Sequence, residues 1–233
     1  MKTFMAQAVR TVPYARAPQG TKYYLEAKDI SFKTLVGYSY ENVSMTIAPG
    51  EVCAIRGHNG TGKTSLLLTL AGHMVQNTGT LRVGEYILPK QRHKVQQLSG
   101  ISVIQGLNDM PRSLKVISAV SAEFELYGRR VNKESVLRYL ASWDLDKDAD
   151  MPIKMLSYKD RARLGIALAC VKRPPLLVVD DIELQLTMDQ SKELMNVLKN
   201  LAETRGMAIA VAVVERELAA MADSVVYLEK EGR

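Results

Sequence analysis

Gly57-His58-Asn59-Gly60-Thr61-Gly62-Lys63-Thr64 joins an apolar run at 52–55 to a leucine-rich stretch at 63–72. The octet fits G-x-x-x-x-G-K-[ST], a loop whose backbone N–H groups wrap phosphate oxygens where a strand gives way to a helix. Its glycines admit unusual backbone angles and let the main chain approach an anion with no Cβ in the way. Lys63 brings positive charge to β- and γ-phosphates, and Thr64 offers a hydroxyl to Mg²⁺. Average residue frequencies produce such a pattern by accident in about one chain in a hundred of this length. With strand and helix signals on either side, accident explains little. The expected nucleotide-binding set is therefore Gly57, His58, Asn59, Gly60, Thr61, Gly62, Lys63, Thr64 and Ser65, with Lys63 also acting in catalysis.

A second half-site lies further on, where Leu176-Leu177-Val178-Val179 runs into Asp180 and Asp181. In a parallel sheet the end of that strand falls beside the phosphate loop, so Asp180 can hold Mg²⁺ through its water shell. Strand-like runs at 176–179 and 207–214 alternate with helical spacing at 158–172 and 190–204, which argues for a largely parallel sheet covered by helices. Before the loop, short β-like segments at 24–27 and 43–47, closed by Pro49-Gly50, read as a small antiparallel sheet. Further strands are expected at 80–83 and 101–104, and helices at 116–127 and 134–143. The predicted fold class is α/β: a P-loop NTPase with a largely parallel core sheet, an N-terminal antiparallel β subdomain, and a helical subdomain at about 106–157.

The chain has 233 residues, 47% of them apolar and 24% charged, a composition that indicates neither disorder nor a membrane-embedded protein. No apolar run reaches the roughly 20 residues a spanning helix needs, so any membrane role must come through a partner. Residues 1–22 carry Lys2, Arg10 and Arg16 without the apolar core of a secretory signal and read as a tail ahead of one domain at 23–233. Two cysteines make no disulfide framework, which fits a reducing cytoplasm. The net charge of +6 is spread along the chain without a basic block, so no nucleic-acid partner is expected. Asp144, Asp146, Asp148 and Asp150 alternate like a calcium loop, but Ala149 and Met155 occupy its glycine and bidentate-acid positions.

Between the two half-sites the sequence resembles the ATP-binding cassette family, a likeness extending from about Tyr24 to Leu228. Gln105, after the run at 101–104, looks like the glutamine that in this family touches Mg²⁺ near the contact with the membrane subunit. Leu156-Ser157-Tyr158-Lys159-Asp160 stands where the family writes LSGGQ, followed by Arg161, Arg163 and an Ala/Leu-rich helix. The resemblance implies that Ser157, Tyr158, Lys159 and Asp160 face the nucleotide of an opposing cassette. From the residues alone, Ser157 and Asp160 also form a capping box.

The resemblance is broken at chemically telling places. Both signature glycines are replaced, by Tyr158 and Lys159, and Asp160 would turn a negative charge toward a polyphosphate. The family's catalytic glutamate is Asp181 here, one methylene shorter. Its aspartate after that strand becomes Thr187, and its switch histidine is missing, with Glu215 nearest its place. The aromatic that stacks on adenine is left open among Phe32, Tyr38 and Tyr40, the ungapped position being Thr34.

The resemblance implies an ATP- and Mg²⁺-binding, slowly hydrolysing subunit of a membrane transporter. It would work with a transmembrane permease and a second cassette, on the cytoplasmic face of the cell membrane. The apolar surface of Met110, Pro111 and Leu114 suggests the permease contact. A soluble nucleotide switch or a pseudo-ATPase not tied to transport is the alternative.

Overall fold

The structure is a computed structural model and describes residues 23–35 and 37–229. The expected tail at 1–22 lies outside the described residues, as does the end of the chain beyond 229. Two sheets make up the frame. One is antiparallel, in the order β2 (Gly37–Ile47), β1 (Leu25–Thr34), β4 (Thr78–Val83), β5 (Tyr86–Leu88). The other is parallel throughout, in the order β6 (Ser99–Ile101), β7 (Leu176–Val179), β8 (Ala208–Val213), β3 (Val52–Arg56), β9 (Ser224–Tyr227).

The sequence of β8, Ala-Ile-Ala-Val-Ala-Val, accounts for the layering. Period-two alternation sends Ile209, Val211 and Val213 to one face and Ala208, Ala210 and Ala212 to the other, and both faces are buried. The alanine face leaves room for helix α1 (Lys63–Leu70), whose Leu66, Leu67 and Leu70 are fully buried with the inner residues of the antiparallel sheet. The larger side chains pack against α5 (Tyr158–Cys170) and α6 (Met188–Arg205). Helices α3 (Val116–Leu126) and α4 (Lys133–Ala141) add Val116, Val120, Val136 and Leu140 to that same core.

Short pieces escaped the sequence pattern. The expected strand at 101–104 is displaced to 99–101, because Asn108 folds back on the segment that follows. Its carboxamide accepts from the Ile104 amide at 2.6 Å and donates to the Ser102 carbonyl at 3.1 Å, closing a turn. Strands β5 and β9 and helices α2 (Arg92–Leu98) and α7 (Arg216–Ala219) were also not anticipated. In three to seven residues a hydrophobic period completes too few cycles to register.

Candidate nucleotide site

Parallel strands bring their following loops to one edge of the sheet, and the chemistry gathers there. Gly57 follows β3, Asp180 follows β7, Val214 follows β8, and Ser102 follows β6. At the entry to α1 the chain turns left-handed at Gly62 (φ 92°), where a Cβ would collide with the Ser39 carbonyl of β2. Glycine is thus demanded twice there, by angle and by space. The Lys63 ammonium is buried and donates to the carbonyls of Gly57 (2.8 Å) and His58 (3.0 Å). Thr61 Oγ1 also donates to the His58 carbonyl, at 2.9 Å, which tightens the loop from inside.

Across from the loop, Thr64 Oγ1 donates to Asp180 Oδ2 at 2.7 Å. Two of the three expected metal ligands, 116 residues apart in sequence, therefore meet directly. Asp180 is nine-tenths buried, and its other oxygen, Oδ1, has no protein partner. Burial pushes its carboxyl above the usual range; the Thr64 hydroxyl opposes this and neighbouring Asp181 adds to it. A hydroxyl and a carboxylate with an orphaned oxygen are oxygen donors of the kind that suit Mg²⁺. The described residues contain no cluster of three or more His, Cys, Asp or Glu able to cage a metal. The set fits an ion that keeps waters and takes its remaining ligands from phosphate.

Gln105, Tyr158, Asp180 and Asp181 all line one cavity of about 540 Å³, walled by Val103, Ile166 and Leu194. Asp181 is exposed and left-handed (φ 44°), at the head of a turn closed by the Leu184 amide on its carbonyl at 3.0 Å. The signature residues are committed elsewhere. Ser157 caps α5 by accepting from the Asp160 amide at 3.1 Å, while its hydroxyl donates to the Asp160 carboxylate. Lys159 pairs with Glu193 of α6 at 2.8 Å, and Tyr158, half exposed, lies beneath the Arg161 guanidinium.

Among the aromatics left open for adenine, Tyr40 is buried and donates its hydroxyl to Thr69, and Phe32 stacks on it. Tyr38 is exposed, one residue from the Ser39 carbonyl that abuts Gly62. Three participants had no sequence signal. The Asp180 amide donates to Ser102 Oγ (3.3 Å), Arg56 Nε donates to the Val214 carbonyl (3.1 Å), and Glu183 accepts from the amides of Val214 (2.7 Å) and Glu215 (2.8 Å). An acid two positions beyond Asp181 looks, in sequence, like any solvated loop charge.

The sequence model of a family described as "ABC transporter" matches residues 40–183. The energy-coupling factor transporter ATP-binding protein of Mycoplasma mobile is 26% identical over 208 residues, covering 88% of this chain and 76% of that protein. The cbiO1 component of the ABC transporter complex cbiONQ of Clostridium perfringens shares the fold at a TM-score of 0.75 and 22% identity, over 90% of this chain and 86% of that one. A dimeric ATP-binding cassette in a post-hydrolysis state, bound to ADP and Pi, does so at 0.74 and 21%, over 88% and 94%. Against three other curated relatives the chain spans 37%, 61% and 43% of their length.

Proposed function

Because this chain belongs to the ABC transporter family, we propose that it is the ATP-binding subunit of a membrane transporter, binding MgATP at the loop 57–65 and closing on a second cassette. The observation that carries this reading is the meeting of Thr64 and Asp180 at 2.7 Å beside the Lys63 loop. In the proposed roles, main-chain amides of 57–65 and the Lys63 ammonium hold the phosphates, and Thr64, Asp180 and Gln105 serve Mg²⁺. Asp181 orients the attacking water. Mg²⁺ would supply neutralisation of phosphate charge. A permease is the proposed membrane partner, as suggested by relatives that are transporter ATP-binding proteins; no described helix is long and apolar enough to cross a bilayer. The proposed location is accordingly the cytoplasmic face of the cell membrane, and the proposed division is one domain from 23 onward with a helical part at about 106–157.

Turnover in this reading is slow. Asp181 reaches less far than a glutamate, no imidazole stands at 214–215, and the α5 end offers a carboxylate where a phosphate in trans would need bare amides. The test is calorimetry with ATP and Mg²⁺, followed by hydrolysis in the complex with the native permease. Absence of MgATP binding by the wild-type chain would sink the proposal.

A further inference from the structure

The segment 214–215 lies where the resembled family keeps a histidine, and here it offers no ring to a phosphate. It is nevertheless gripped from both sides. Each oxygen of the Glu183 carboxylate takes one main-chain amide, from Val214 at 2.7 Å and from Glu215 at 2.8 Å. The Val214 carbonyl takes Arg56 Nε at 3.1 Å, and Arg56 is the last residue before Gly57 of the phosphate loop. Among the described residues no cation pairs with Glu183. Glu183 is half-buried, two residues from Asp181, and both of its carboxylate oxygens are taken up by those two amides.

We infer that Glu183 is a positioning residue that joins three loops at the C-terminal edge of the parallel sheet. It clamps 214–215, which Arg56 ties to the phosphate loop, and across the two-residue span 181–183 it fixes where the Asp181 carboxylate stands. The turn that Asp181 heads is closed by one backbone bond, from the Leu184 amide. Glu183 lies inside that turn, so freeing its side chain frees the turn. With no imidazole bridging the two loops, a carboxylate on the opposite strand-end performs the bridging through main chain.

The structural arm of this inference needs no nucleotide; the catalytic arm rests on the proposed function. Amide hydrogen exchange is measured first, without nucleotide, on wild type, Glu183→Ala and Glu183→Gln. The expected result is protected amides at Val214 and Glu215 in wild type. Both should exchange at least about tenfold faster in Glu183→Ala, with the β8 amides unchanged. Glu183→Gln retains one acceptor oxygen and should fall between.

In the transporter complex, Glu183→Ala should lower kcat for ATP about tenfold or more, the scale of a misplaced catalytic group. The calorimetric ATP affinity should stay within about threefold of wild type, and Glu183→Gln should recover part of the rate. Equal exchange in wild type and Glu183→Ala would overturn the clamp. Freed amides with an unchanged kcat would overturn the positioning role, and loss of β8 protection in both variants would make Glu183 a folding residue instead. A wild-type chain that bound no ATP would defeat the proposed function while leaving the exchange comparison readable.

Discussion

Lys63 and Asp180 are both buried within one site without a direct ion pair: the ammonium hydrogen-bonds two carbonyls of its own loop and the carboxylate takes the Thr64 hydroxyl, while the Lys63 charge still opposes the rise in the Asp180 pKa. Lys63→Ala should therefore leave the fold's sheets intact and weaken MgATP binding at least about tenfold, the scale of losing charge-assisted hydrogen bonds. Calorimetry on the two proteins measures it. Asp180 carries a linked stability effect. Its folded pKa is raised, so the folded state resists ionisation; the resulting loss of stability is absent below the ordinary carboxylate range and sets in as pH rises through the raised value. Asp180→Asn should consequently raise the melting temperature of the nucleotide-free chain at pH 7. That gain should shrink as pH falls through the ordinary carboxylate range, where the wild-type carboxyl takes up its proton. The same variant should lose the Mg²⁺ dependence of ATP binding. A lower melting temperature for Asp180→Asn at pH 7 would show that the Thr64 bond outweighs desolvation.

Helix α5 shows how one element can satisfy itself at the expense of a ligand. Ser157 and Asp160 exchange hydrogen bonds at its start, and Lys159 lies across to Glu193 on α6. The Lys159 pair is solvent-facing and worth little to stability. Opening this end by Tyr158→Gly, Lys159→Gly and Asp160→Gln should raise steady-state hydrolysis by the complex severalfold. Stability should fall by about 1 kcal/mol from the helix propensity lost at the two new glycines, since Ser157 remains as the cap. No change in rate would mean that no phosphate approaches this helix end. The Ser157 cap could be read from sequence because it spans one helical turn, but its reciprocal half differs from the expected box: Asp160 accepts from the Ser157 hydroxyl. The Lys159–Glu193 pair could not, since it depends on how α5 packs against α6. The same division holds for strands: 176–179 is apolar at every position and was read at its true limits, whereas β6 moved because a single side chain, Asn108, bent the segment after it.

Across the whole molecule, the parallel order of the strands made the phosphate site legible from sequence, because it sends residues 57 and 180 to one edge whatever lies between them. Arg56, Ser102 and Glu183 stayed hidden: each bonds to main chain of a loop tens of residues away or more, and sequence does not announce such partners. On the proposed reading, the permease contact falls to exposed apolar side chains. Met110 and Leu114 are partly buried against the core, whereas Leu107 and Met155 are 61% and 65% exposed. Cysteine introduced at Leu107 or Met155 should cross-link to the permease, and cysteine at exposed Ile87, on the antiparallel sheet, should not. Cross-linking from Ile87 alone would place the contact on the other side of the molecule. The touch between Gly62 and the Ser39 carbonyl binds the histories of the two sheets together. A substitution that nudged β2 toward α1 would be felt first at the phosphate loop, so strand residues with no chemistry of their own inherit the mutational intolerance of the site they abut.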